Sequence, residues 1–167
     1  YDPWLIGGFQ DNGNNVSNTT DPYHHWILPV NGDGAYNYID PDKSFFVTSI
    51  QQGRVVKVLL NKQGYLMARR RIDPAGFTKA DYAFINPFVV DPNDANLLYM
   101  PIGKKIARLN NLKSIAVNND YAQLKTGWTI FSDTIKTPKL ASGDQAEITA
   151  LAVSKSEENI LYIGTSN

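Results

Sequence analysis

The sequence contains no cysteine, which excludes structural disulfides and thiolate metal sites and leaves compartment unreadable from redox chemistry. It carries no net charge either: 16 basic and 16 acidic residues cancel, and they are scattered along the chain. No broad field therefore favours nucleic acid or an anionic membrane, and no nucleic-acid partner is expected. No apolar run approaches the roughly 20 residues that span a bilayer, so no membrane span is expected. The opening Tyr1-Asp2-Pro3-Trp4 has neither the basic start nor the apolar stretch of a signal peptide, and any targeting segment is expected to have been removed or to lie upstream. Clean helical periodicity is missing: Gly, Pro or Asn clusters interrupt the apolar stripe in every window of about twelve residues. A Gly-rich phosphate loop, a P-loop lysine, a nucleophile elbow and a Cys-His pair are all absent.

What is present suits strands. A hydrophobic content of 43% with 11% aromatics is normal for a chain that buries a core. Short runs rich in β-branched and aromatic residues, such as Phe45–Ile50, Val55–Leu60 and Ile160–Ile163, are separated by turn residues at close intervals. Asp-Pro occurs at Asp2, Asp21, Asp40, Asp73 and Asp91, where proline fixes φ and the Asp side chain can bond the following backbone. These read as strand-ending turns. The stretch from Leu112 to Gln123 is compatible with a short helix or an irregular excursion. The basic cluster Arg69-Arg70-Arg71 reads as the solvated end of a strand, with anion binding as the minority reading.

An internal repeat decides the fold class. Phe88–Met100 aligns with Ala150–Ile163 as strand, polar turn, Asn, strand, after one register adjustment. A third copy, Tyr38–Val47, is one residue shorter in the turn, and a glycine follows the second strand of each copy at Gly53, Gly103 and Gly164. The copies begin about 51 and 63 residues apart, room for four short antiparallel strands per unit, the size of a propeller blade with long loops. The expected fold is all-β, a partial β-propeller of about three four-stranded antiparallel blades of a larger ring, with blade remnants at approximately 1–34, 35–83, 84–146 and 147–167. Trp4–Gly8 reads as a second strand without its first, and Ile163–Asn167 falls before a third and fourth. About three blades cannot close a ring, so the remaining blades are expected from the same propeller or from another chain.

Gly7-Gly8-Phe9-Gln10-Asp11-Asn12-Gly13, Asn31-Gly32-Asp33-Gly34, Ile39-Asp40-Pro41, Asn86–Asn93 and Asn159–Asn167 together resemble the BNR or Asp-box repeat propellers. That group takes in sortilin-type receptor ectodomains, family 74 glycoside hydrolases and large secreted bacterial repeat proteins. The signature Ser-x-Asp-x-Gly-x-x-Trp between third and fourth strands is missing; Leu59–Gly64 and Arg108–Leu112 stand in its place, with Asn61 and Gly64 as an eroded version. Trp128 is compatible with the aromatic fourth-strand position, and equally reads as a core aromatic. The resemblance implies a secreted or cell-surface, bacterial binding module whose propeller face engages a glycan or protein partner. The alternative it carries is a glycoside hydrolase acting on a polysaccharide, with catalytic carboxylates partly outside this chain.

Glycoside hydrolysis needs two carboxyl groups flanking the scissile bond, and Asp11 and Asp33 are the candidates. Both sit among glycines, where backbone can approach a ligand; Gln-Asp-Asn-Gly and Gly-Asp-Gly are also good turn sequences. Gln10, Asn12, Trp26 and Tyr36 are the ligand-binding candidates, because flat aromatic faces pack on sugar rings while amides fix orientation. No cofactor is expected, though Asp11, Asn12, Asn14 and Asn15 with loop carbonyls offer oxygens of the kind calcium takes. His24 and His25 are adjacent, so on a strand they face opposite sides and cannot share one metal. Asn15-Val16-Ser17 and Asn18-Thr19-Thr20 match the N-glycosylation pattern, which matters only in a eukaryotic secretory pathway.

Overall fold

The computed structural model describes residues 3–166; Asp2 and Asn167, and the turn and strand-end readings that fall on them, lie outside these. The described residues are all-β, with thirteen strands in four antiparallel sheets that follow one another along the sequence. The first sheet holds β1 (Leu5–Phe9), β2 (Gly13–Ser17) and β3 (Ile27–Val30). Two four-stranded sheets follow, β4 (Gly34–Ile39) to β7 (Leu66–Arg71) through β5 (Phe46–Ile50) and β6 (Arg54–Leu60), then β8 (Val89–Val90) to β11 (Trp128–Ile130) through β9 (Leu98–Ile102) and β10 (Lys105–Leu109). The last is the pair β12 (Ile148–Val153) and β13 (Leu161–Thr165). Within each sheet every strand pairs with its neighbours in sequence, the order that short β-branched runs joined mostly by turns produce. Among the described residues no α-helix occurs, only single 3-10 turns at Lys79–Asp81 and Leu112–Ser114, and no helix is long and apolar enough to cross a membrane.

The three sequence copies fold into the same hairpin, β4–β5, β8–β9 and β12–β13. In each, the residue after the first strand is buried and its amide donates to the residue just before the second: Asp40 to Phe45 (3.2 Å), Asp91 to Leu97 (2.9 Å) and Ser154 to Ile160 (2.9 Å). Their side chains then hold the turn, Asp40 accepting from the Ser44 hydroxyl, Asp91 from the Asn93 amide, and Ser154 from the amides of Ser156 and Glu157. The shorter first copy closes one residue sooner by the same device.

Strand alternation sends each sheet's two faces to different neighbours. Phe46, Val56 and Val58 pack with Val30 and Ile6 of the first sheet and with Trp4 just before it, while Phe45, Val47 and Val55 pack with Val90, Leu98, Met100 and Leu109 of the third. The third sheet repeats this, offering Tyr99 and Ile106 to Ile148, Leu151 and Val153 of the fourth. Each fully buried apolar side chain stabilises the stack by about 1.5–3 kcal/mol. The connection between β10 and β11 leaves this pattern. Residues 111–126 cross to the second sheet and lie along β7, where Arg71 donates its amide to Asp120 and Leu124 donates to Asp73. This resolves the 112–123 stretch as an irregular excursion opened by one 3-10 turn.

It also corrects the reading of the arginine cluster. Arg70 is buried, its guanidinium bonded to the carbonyls of Asp120 and Ala122 and paired with the Asp120 carboxylate at 3.3 Å, while Arg69 lies over the Tyr121 ring. The cluster pins the excursion over an otherwise open sheet edge, a common protection of unpaired strands.

Candidate functional site

Consecutive antiparallel strands place alternate connections at opposite ends of the sheets. The β1–β2, β5–β6 and β9–β10 turns and the β3–β4, β7–β8 and β11–β12 connections share the near end, where hydrogen bonds run from one sheet to the next. The Gly13 amide donates to Gly32 (2.8 Å), Gln51 to Asp33 (3.1 Å), Gln52 to Phe84 (2.8 Å), Gly103 to Asp81 (2.7 Å) and Ile135 to Lys104 (2.7 Å). The connections of successive sheets thus form one continuous rim.

Asp11 and Asp33 both lie on this rim and the structure brings them together: an Asp33 carboxylate oxygen accepts the Asp11 amide at 2.9 Å, and the Asp33 amide donates to the Gln51 side chain at 2.9 Å. Asp11 is exposed at φ 61°, and Asp33 is half-buried. The surrounding glycines serve a different purpose from the one their sequence implies. A Cβ on Gly34 would fall 2.0 Å from the Gly13 carbonyl oxygen, and one on Gly8 2.3 Å from that of Ala35. Backbone of a neighbouring strand, not a ligand, takes the space these glycines leave: β4 beside Gly8 and β2 beside Gly34.

The remaining candidates separate. Gln10 and Asn12 are exposed on the β1–β2 turn beside Asp11, with the Asn12 side chain donating to the Gln10 carbonyl at 3.1 Å. Tyr36 is half-buried on β4, its ring against Phe88 and its hydroxyl spent on the Thr149 carbonyl at 2.8 Å, tying the second sheet to the fourth. Trp26 sits at the far end, in a shallow cleft with Tyr23, His24, His25 and Tyr65. The oxygens considered for calcium do not converge, since Asn14 and Asn15 are successive strand residues on opposite faces. Asn14 is fully buried and donates to the Ser49 carbonyl at 3.0 Å, while Asn15 donates to the Asn12 carbonyl at 2.7 Å.

Next to Asp33 along the rim, a polar cleft of about 450 Å³ opens between the β5–β6 turn and the Lys79–Asp81 turn. Its walls include Gln51, Gln52, Arg54, Lys79 and the rings of Phe77 and Tyr82. Its base is a closed network. Asp73 is 1% exposed and accepts both Arg71 nitrogens at 2.8 Å, the Gln123 side chain at 3.1 Å and the Val55 amide at 3.3 Å. The hydrogen bond to Asp73 is the main reason the Arg71 pKa is raised. Sequence reasoning missed this cleft because Arg54, Arg71, Lys79 and Gln123 meet only after the sheets stack. The period-2 alternation of Arg69 and Arg71 against Arg70 was the one local signal that these side chains face different surroundings.

Tyr82 forms one wall against Gly53, where a Cβ would sit 2.3 Å from the ring. Its hydroxyl is turned inward, buried and without a hydrogen-bond partner, and burial first, then the Asp73 and Asp81 carboxylates, push its pKa up. A raised folded-state value means stability that is complete below the unfolded pKa of about 10 and lost as pH rises beyond it. Tyr82→Phe should therefore match or exceed wild-type stability at pH 7 and show a shallower alkaline loss in thermal melts. Some slope should remain, because burial raises Tyr38 in the same direction. A Tyr82→Phe protein more than about 1 kcal/mol less stable at neutral pH would show that the hydroxyl has a partner.

Against known proteins, no family model matches the chain, and neither the curated proteins nor the solved structures contain a match.

Proposed function

We propose that this chain is part of a secreted or cell-surface, bacterial β-propeller of the BNR or Asp-box kind, and that its near-end rim binds a glycan. The observation that carries the binding reading is the polar cleft beside Asp33, concave and lined by amides, cations and two aromatic rings. Support for the propeller reading comes from the thrice-repeated Asp40, Asp91 and Ser154 hairpin and from sheets that stack face to face in chain order. Asn61 and Asn110 add to it at the position of the lost Asp-box. Asn61 accepts the amides of Gln63 and Tyr65 with its side chain, and Asn110 clamps Gly127 and Thr129, so each holds a third-to-fourth-strand connection. The β12–β13 pair leaves an apolar groove lined by Phe131, Ile135, Val153 and Leu161, a surface suited to further strands of the same propeller or another chain.

Hydrolysis is the weaker reading. A glycosidase acid is a carboxyl sheltered from water, whereas Asp11 is exposed and one Asp33 oxygen is occupied by a backbone amide. The binding reading predicts that Asp11→Asn and Asp33→Asn each leave oligosaccharide affinity within about threefold of wild type, less than the tenfold that 1.4 kcal/mol represents. It also predicts no reducing ends released from any polysaccharide that wild type binds. Release of reducing ends by wild type, abolished in either variant, would establish the hydrolase instead.

A further inference from the structure

The cleft's hydrogen-bonding inventory is one-sided. Its single buried carboxylate, Asp73, already accepts four bonds and is neutralised by Arg71. The nearby Asp81 carboxylate is turned to its own cap, accepting the Thr78 amide at 2.7 Å and the Thr78 hydroxyl at 2.9 Å. The Gln51 side-chain oxygen is taken by the Asp33 amide, leaving its NH₂ as donor. By contrast Arg54 and Lys79 have no ion-pair partner among the described residues, and both line the opening. The second nitrogen at the tip of the Arg71 guanidinium, Nη1, is likewise uncommitted. The lining thus holds three cations, Arg54, Arg71 and Lys79, beside neutral amides and no acidic residue, flanked by the Phe77 and Tyr82 rings.

From this we infer that the cleft takes a saccharide bearing an anionic group, a carboxylate or a sulfate, with the anion held by Arg54 and Lys79 and the sugar ring against the aromatic wall. Donors in this setting form charge-assisted bonds, about twice as strong as neutral ones, and an acidic sugar supplies the acceptors that the cleft lacks. A neutral sugar hydroxyl can accept from these donors but brings no charge, and leaves both cations without an ionic partner. A volume of about 450 Å³ lies within the range of small-ligand sites. The inference rests on the reading of the near end as a glycan-binding rim and specifies the ligand class.

The test is calorimetric titration with three oligosaccharide sets matched in length: neutral, uronic-acid-containing and sulfated. Wild type, Arg54→Gln and Lys79→Gln are compared, both exchanges being at exposed positions and checked by unchanged melting curves. The expected result is binding of at least one acidic set, weakened on the order of tenfold by each exchange, the loss of one charge-assisted bond. The affinity should also fall with added salt, and the set that binds identifies the anion. Neutral and acidic sets bound equally, with no effect of either exchange, overturn the anionic inference and leave the glycan reading standing. Acidic binding insensitive to both exchanges overturns the assignment to this cleft. No binding of any set overturns both.

Discussion

Replacing Lys57 by methionine is expected to destabilise the protein by about 3 kcal/mol or more, a fall of roughly 6–12 °C in Tm for a chain of this size. Lys57 points from β6 into the interface between the second and third sheets and is 3% exposed. Burial pulls its pKa down, with Asp40 opposing, so an ammonium here needs strong compensation. It has that in full. All three N–H groups donate to carbonyls of the β10–β11 excursion, Leu112 at 2.9 Å, Lys113 at 3.0 Å and Ile115 at 2.9 Å, and the charge lies 4.6 Å from the centre of the Phe45 ring. Methionine fits the space but leaves the carbonyls without their donor. The loss should concentrate in residues 111–126, read as faster amide exchange there than in β4–β6. A change below about 1 kcal/mol with unchanged exchange would mean that the excursion holds its place without the lysine.

Asp73→Ala is expected to cost about 3–5 kcal/mol, because it strands a half-buried guanidinium and two further donors at the base of the cleft. The double variant Arg71→Met with Asp73→Leu should recover more than half of that loss, since apolar replacement of a buried pair is often near neutral. Failure of the double variant to recover would shift the weight from the ion pair to the Val55 and Gln123 bonds. Either way, denaturant melts of the two variants side by side give the answer.

These two sites mark the limit of what the primary structure discloses. The hairpins were legible because their causes are local: β-branched runs, Asp-Pro turns and a polar residue that caps its own turn at positions 40, 91 and 154. The turns that carry Asp11 and Asp33 were legible for a similar reason, since both are Gly-rich, but their contact was not, because the two residues lie 22 positions apart and meet only once the first and second sheets stack. Lys57 was not, because its partners lie 55 to 58 residues away on a connection with no periodicity of its own. The glycines at 8 and 34 misdirected for a physical reason: the absence of a side chain shows that something comes close, and here the visitor is backbone. Trp26 and Tyr36 shared an aromatic-rich segment with the rim residues, yet strand direction carries Trp26 to the far end and a hydrogen bond spends the Tyr36 hydroxyl on the Thr149 carbonyl of the fourth sheet.

The most direct test of the account is a map of backbone amide chemical shifts while the oligosaccharide sets are titrated in. The predicted result is perturbation concentrated on the near end, at Gln10–Asn12, Asn31–Asp33, Gln51–Arg54 and Thr78–Tyr82, with the far-end turns at Asp40–Ser44, Asn61–Tyr65 and Asn93–Asn96 unmoved. Perturbation centred instead on Tyr23, Trp26 and Tyr65 would contradict it and place the ligand at the opposite end of the sheets.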